Sequence, residues 1–343
     1  MHHPYSVGIM DQISLPKMSV RYASNLLDVS LQAIHKQMKQ KNVSLPKLGN
    51  KSYLDHDIGK KLFMIPFKKK KIAFQIVKGG TGKTTSLYNI SCAASLYGAK
   101  ILTIDLDPQG NLTDSFNVNP ESVPIVIDVF EGHASTEESI ISVSKGIDLL
   151  PSRIENIVLD NKLALSKVPL HTFFSNMISE VENNYDFILI DCPPTMGHSV
   201  SAASLYVDSI LVPLNPDRFS AKGLKILKHE LKNLQKAYRK NISYKVFLNK
   251  YSNNTILSDK AIQTTISSEI ETNNALKTAI RVSQEIPNTS DKNQNVFSTL
   301  KKLAIRDDFD LLTRELLNID VSRVKGSRYC PLTEEEEMNN AIN

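Results

Sequence analysis

The chain has 343 residues, a formal net charge of +5 and 41% hydrophobic residues, which suits one large domain plus a small one and excludes disorder over most of the length. Cys92, Cys192 and Cys330 are far apart and show no metal-ligand spacing, which excludes a zinc module or a disulfide scaffold and fits a reducing cytoplasm. No apolar leader opens the sequence and no run of about 18 apolar residues follows, so neither a signal peptide nor a transmembrane helix is expected.

Residues 1–71 hold 13 Lys/Arg against 4 Asp/Glu, a balance of +9, whereas the remainder holds 28 against 32, or −4. A basic N-terminal part on a mildly acidic body points to nucleic acid as the partner of the small part. Residues 1–17, with Pro4, Gly8 and Pro16, read as a flexible lead. In residues 18–63, Ser19 is placed to cap a helix over 20–27, Asp28-Val29 to turn, and Ser30 to cap a second helix over 31–41. Ile34 and Met38 share one face of that helix at i, i+4, and Lys36 and Lys39 face elsewhere. This is the layout of a helix-turn-helix whose second helix enters the major groove, with a wing over 48–53 and a further helix from 54. Lys36 and Lys39 are its candidate DNA contacts. Residues 64–70 read as a basic linker.

From 71 to 318 the pattern changes. Apolar runs at 72–77, 101–105, 187–191, 209–214 and 245–249 lack strict alternation, as parallel strands buried on both faces do. Helical patterns fall at 83–97, 172–183, 199–206, 222–238 and 258–270, and a closing helical region at 297–317. The expected fold is α/β: a P-loop NTPase with a mostly parallel sheet covered by helices on both faces, plus a small N-terminal winged helix-turn-helix module. Residues 319–343, with the acidic run 334–337, read as a tail.

Val77-Lys78-Gly79-Gly80-Thr81-Gly82-Lys83-Thr84-Thr85 follows a predicted strand and opens a predicted helix, the context a phosphate loop requires. Glycines let the backbone approach an anion, and successive N–H groups at a helix N-terminus face it. Lys83 is expected on the β- and γ-phosphates and Thr84 on Mg²⁺. Asp105-Leu106-Asp107-Pro108-Gln109-Gly110 ends the second strand, where an acidic group faces the crevice in which parallel sheets bind ligands. A carboxylate there can hold water in line with a γ-phosphate. Phe187-Ile188-Leu189-Ile190-Asp191 is four apolar residues and an aspartate, a Walker B strand, with Asp191 on Mg²⁺. ATP and Mg²⁺ are the cofactors this set implies.

Lys-Gly-Gly-Thr-Gly-Lys-Thr-Thr, with Val77 where the ordinary phosphate loop has glycine, resembles the deviant Walker A motif of the ParA/MinD group. The Asp105–Thr113 block resembles the Walker A′ segment of ParA proteins, and Asp191-Cys192-Pro193-Pro194 their Walker B motif; Gly197 matches a switch-like glycine. The resemblance runs from about residue 71 to 317. It implies a partition ATPase in which Lys78 reaches the partner's nucleotide across an ATP-dependent homodimer, Asp107 orients the attacking water and Asp105 supports the metal shell. It further implies that Lys78, Gly79, Gly80, Thr81, Gly82, Lys83, Thr84 and Thr85 bind the nucleotide, and that Asn249 recognises the base. Residues 276–281, with Lys277 and Arg281, resemble the family segment whose basic residues contact DNA when two subunits close over ATP. DNA bound without sequence preference, a ParB-type centromere-binding protein and a place on the nucleoid follow from the same resemblance, and the N-terminal extension resembles that of plasmid-type members that repress their own operon. A membrane-positioning MinD-like role is disfavoured because the chain ends in an acidic run rather than a basic amphipathic helix. A nitrogenase-iron-protein-like role lacks its cluster cysteines. A dedicated repressor with a secondary ATPase is the third reading.

Overall fold

The computed structural model describes residues 14–252 and 260–321. At its N-terminal end β1 (Met18–Ser19) leads into helix α1 (Val20–Leu27), capped by the Ser19 hydroxyl, which accepts from Tyr22 N. Asp28 takes a left-handed conformation (φ 50°) and ends α1, and Ser30 caps α2 (Leu31–Gln40) by accepting from Ala33 N. A hairpin of β2 (Lys47–Leu48) and β3 (Lys51–Leu54), turning at Gly49 (φ 59°), precedes α3 (His56–Phe63). β3 also pairs antiparallel with β1.

The main sheet takes β4 (Lys70–Phe74), β5 (Ile101–Asp105), β6 (Ile141–Ser144), β7 (Ile147–Leu150), β8 (Phe187–Asp191), β9 (Ser209–Leu214), β10 (Ser243–Tyr251) and β11 (Ile280–Arg281). Their spatial order is β11-β10-β9-β4-β8-β5-β7-β6. The pairings are parallel except β6 with β7. Alternate residues feed two cores. Ile72, Phe74, Phe187 and Leu189 point to one face, and Ala73, Ile188, Ile190 and Val212 to the other. Both faces are covered, which is why these strands read as unbroken apolar runs.

Several boundaries differ from the sequence reading. The strand expected over 72–77 spans Lys70–Phe74, and the chain then enters the phosphate loop. β6, at the sheet edge, and β7 beside it add strands that a search for apolar runs does not anticipate, because each has only four residues. The helix expected from 222 starts at Arg218, since Asp217 caps it by accepting from Ser220 N. The closing helix is Ala304–Leu317. Before it, Val296 and Phe297 fill the core from a turn in which Asn295 Oδ1 accepts from Phe297 N. The helix expected over 258–270 is seen as Lys260–Glu271, with 258 and 259 outside the described residues.

The N-terminal segment shares the core on the α4 side of the sheet, where α4 is Lys83–Leu96. A Cβ on Gly59 of α3 would lie 2.0 Å from the Leu96 carbonyl oxygen, so α3 rests directly on the end of α4. The Asp310 carboxylate accepts from Tyr22 Oη (2.8 Å), Tyr97 Oη (2.7 Å) and Arg314 Nε (3.0 Å), joining α1, the loop after α4 and the closing helix. Residues 64–70, expected as a linker, are fastened down because apolar side chains sit among the lysines. Ile65 and Phe67 pack on the core, and Lys70 Nζ donates to the Leu316 carbonyl. The end of the expected flexible lead is also held, by hydrogen bonds from Asn295 Nδ2 and Ser298 Oγ to the Ser14 carbonyl. Residues 1–13 and the tail from 322, with Cys330 and the acidic run, lie outside the described residues. Among the described residues no helix is long and apolar enough to cross a membrane.

Candidate nucleotide site

Strand register assembles the site. β8 lies between β4 and β5, pairing Asp191 with Phe74 on one side and with Asp105 on the other. Two carboxylates and the start of the phosphate loop therefore stand abreast at the carboxyl ends of three central strands, where parallel sheets bind ligands. Gly80 (φ 70°) and Gly82 (φ 89°) adopt left-handed backbone that favours glycine. A Cβ on Gly82 would come 2.4 Å from Asn249 Nδ2, whereas one on Gly79 or Gly80 would meet nothing within 4 Å. The loop is thus supported behind and open in front. α4 begins at Lys83, so its first N–H groups add their partial positive charge to the loop.

Lys83 is buried, and its Nζ lies over the loop, 3.4 Å from the Lys78 carbonyl oxygen. Burial lowers the pKa of its ammonium, opposed by the negative charge of Asp191. Thr84 Oγ1 donates to Asp191 Oδ2 at 2.6 Å. Asp191 is fully buried, and desolvation, then the neighbouring Asp105, raises its pKa well above the ordinary carboxylate range. Asp105 is pushed up to about 7, chiefly by desolvation and against hydrogen bonds from Thr113. Its Oδ2 accepts from Thr113 N (2.9 Å) and Thr113 Oγ1 (2.8 Å), and its Oδ1 from Asp107 N (3.2 Å). Asp107 Oδ1 accepts from Gln109 N at 3.0 Å.

Three buried side-chain atoms in this region have no hydrogen-bond partner: Thr81 Oγ1, Ser86 Oγ and Asp191 Oδ1. Such atoms are rare in folded proteins, and three around one loop mark a place that a polar ligand completes. The donor set fits Mg²⁺, a hard cation that takes few protein oxygens and shares the rest of its shell with phosphate and water. Thr84 Oγ1 and Asp191 are the oxygens present for it. Among the described residues no group of three or more His, Cys, Asp and Glu is arranged to hold a metal unaided.

Residues 69–244, just over half of the chain, match the family model described as an AAA domain. A ParA family protein of Chlamydia trachomatis is 29% identical over 254 residues, 72% of this chain and 97% of that protein. The chain belongs to the ParA family of P-loop ATPases. Solved structures agree in fold. A putative plasmid partition protein of Borrelia burgdorferi bound to AMPPNP superposes with a TM-score of 0.60 at 17% identity, over 73% of this chain and 99% of that one. The cobyrinic acid a,c-diamide synthase of Mycobacterium smegmatis, with an ATP analogue and magnesium, does so with 0.60 at 18% identity, over 77% and 100%. In this chain the phosphate loop, Lys83, Thr84 and Asp191 are the groups whose chemistry fits a nucleotide with its Mg²⁺.

The other expected residues fall as follows. Lys78 points away from the loop and pairs with Asp217 (2.6 Å), with a further hydrogen bond to Ser220 Oγ (3.2 Å). Thr85 lies in the first turn of α4, its carbonyl accepting from Asn89 Nδ2. Asn249 is buried and donates to the Thr81 carbonyl at 2.7 Å, so its amide braces the phosphate loop from β10. Asp105, expected beside the metal shell, has both oxygens engaged by the loop it precedes, one by Asp107 N and the other by Thr113. Lys36 and Lys39 are exposed on α2, and Lys39 borders a groove with His35, Val43, Lys47 and Ser52 between that helix and the hairpin. Lys277 is exposed, and Arg281 makes a two-pronged contact to Asp308 at 2.7 Å from Nε and from Nη2.

Two residues escaped the sequence reading. Asp217 holds Lys78; the signal was its position three residues before Ser220, a cap pattern. Asp160 accepts from Ser199 N at 2.8 Å and thereby caps the helix His198–Tyr206 from a distant element. A Cβ on Gly197 would sit 1.7 Å from Asp160 Oδ2, which is why that position is glycine. No local sequence signal links 160 to 197.

Proposed function

We propose that the protein is a partition ATPase in which ATP controls dimerisation and DNA binding. The observation that carries this reading is the juxtaposition of the two-lysine phosphate loop with Asp105, Asp107 and Asp191 on adjacent strand ends. In the cycle we infer, the loop N–H groups and Lys83 hold the phosphates, and Thr84 and Asp191 hold Mg²⁺. ATP supplies the phosphoryl group whose transfer to water times the cycle. Asp107, steadied by Asp105, orients the water. Lys78 leaves Asp217 and reaches the nucleotide of a second subunit, so closure of the homodimer exchanges one ionic contact for another. ATP favours the dimer because it makes contacts there that a single subunit lacks.

The closed dimer binds DNA without sequence preference through phosphates, with Lys277 and Arg281 among the contacts. A ParB-type centromere-binding partner stimulates a slow hydrolysis and releases the dimer, which acts in the cytoplasm on the nucleoid. Residues 18–63 form a winged helix-turn-helix module that binds an operator through Lys36 and Lys39 and represses the protein's own operon. Exposure of both lysines on the second of two capped helices supports this.

The test is binding to random-sequence duplex DNA without nucleotide, with ADP, and with ATP and Mg²⁺, alongside Lys83→Ala. Binding that requires ATP and is lost in the variant is the expected outcome. Equal binding in every state moves the function to the N-terminal module and the repressor reading, and no binding in any state overturns partition.

A further inference from the structure

The longest described helix, Arg218–Tyr238, carries a second charged surface. Its buried side is Ser220, Gly223, Leu224, Leu227 and Leu231. On the opposite side Arg218, Lys222, Lys225, Lys232 and Lys236 are exposed, and Arg239, just past the helix, continues the line. His229 occupies the remaining place, so the spacing alternates four and three residues throughout, the repeat of a single helical face. No acidic residue interrupts this face; Glu230 lies well round the helix from it and Asp217 is engaged by Lys78. Among the described residues none of these six cations pairs with a carboxylate, and Arg218 only stacks on Phe219.

A solvated helix face ordinarily mixes signs, because opposite charges at i, i+4 attract and like charges repel. Here 218 with 222 and 232 with 236 are like-charge pairs. A row that works against its own helix is explained by a polyanion that relieves it. The helix has 21 residues, about 31 Å, or about nine steps of duplex at 3.4 Å each. A membrane surface would demand a continuous exposed apolar side to insert; this helix keeps Leu224, Leu227 and Leu231 in the core and exposes only Phe219 and Ile226 beside the stripe.

We infer that this stripe is a docking track for the phosphate backbone of duplex DNA, distinct from the contacts at Lys277 and Arg281. The inference rests on the partition reading in taking DNA as the polyanion. The stripe starts one residue after Asp217, the partner of Lys78, so the track and the lysine that crosses the dimer share one anchor.

The test uses the full chain and the triple variant Lys225→Gln, Lys232→Gln, Lys236→Gln, none of which touches the nucleotide site. Affinity for a random-sequence duplex is measured over a range of salt, with ATP turnover and melting temperature as checks on folding. Each phosphate contact contributes roughly 0.9 to the slope of log K against log salt. The variant is expected to bind at least tenfold more weakly and to lose roughly 2 to 3 from the slope, with turnover in the absence of DNA unchanged. An unchanged affinity and slope, in a wild-type protein that binds only with ATP, overturns the track and leaves partition standing. Loss in the variant together with full binding by Lys83→Ala keeps the track and overturns the ATP switch. Should the triple change abolish binding to anionic phosphatidylserine vesicles and leave DNA binding intact, the track is overturned in favour of a membrane surface.

Discussion

Both oxygens of Asp105 are engaged by Asp107 and Thr113, and the carboxyl is buried beside Asp191. Its pKa of about 7 lies above that of an unfolded aspartate, because desolvation outweighs those hydrogen bonds. A folded state that holds the proton more tightly than the unfolded chain is favoured at low pH. This contribution is fully present below the unfolded pKa, near 4, and is lost as pH rises through about 7. Asp191 shifts in the same direction and reinforces it. The nucleotide-free protein is therefore expected to have a higher urea midpoint at pH 5.5 than at pH 8 from these groups, and Asp105→Asn to flatten that dependence. A midpoint that rises steadily over the same interval in the native protein contradicts the assignment. Sequence reasoning placed Asp105 and Asp191 in the site because strand ends and motif spacing are local. It could not see that Thr113 engages Asp105, nor that Asn249 turns onto the loop, because those contacts join positions 8 and 168 residues apart.

At the scale of elements, the strands that build the site were legible because burial on both faces leaves unbroken apolar runs. Strand β6, at the sheet edge, and its neighbour β7 were not, being short and paired as a hairpin. Helix ends followed side-chain caps wherever the cap was local, at Ser19, Ser30 and Asp217. The helix His198–Tyr206 is different, since its cap, Asp160, comes from elsewhere in the chain. Gly197→Ala would drive a methyl group into that carboxylate. Overpacking of this kind costs about 1–3 kcal/mol, and displacing Asp160 also removes the cap. The variant is expected to be destabilised by about that amount in urea titration, and Asp160→Ala combined with Gly197→Ala to cost less than the sum of the two changes. Strict additivity would show that the two positions are not in conflict.

At the scale of the molecule, the charge division at residue 71 marked a basic N-terminal part, and the structure shows how it is attached. Its apolar residues join the same core as α4, and the Asp310 cluster ties it to the closing helix. The contacts that fasten residues 14–17 and 64–70 were invisible in the sequence because proline and lysine in both stretches read as a lead and a linker, and their partners lie far along the chain. A shared core implies one cooperative unfolding transition rather than two. Scanning calorimetry should show a single peak in the absence of nucleotide, and an early separate transition assigned to the N-terminal part would contradict the shared core. The most direct test of the central claim, that ATP controls association through this site, is sedimentation velocity with ADP or with ATP and Mg²⁺, on the native chain, Lys83→Ala and Asp107→Ala. The account predicts a monomer with ADP, a dimer with ATP that decays as ATP is consumed, a lasting dimer in Asp107→Ala, and a monomer throughout in Lys83→Ala. The same sedimentation coefficient in ADP and ATP for the native chain and Asp107→Ala, or rapid turnover by Asp107→Ala, would contradict it.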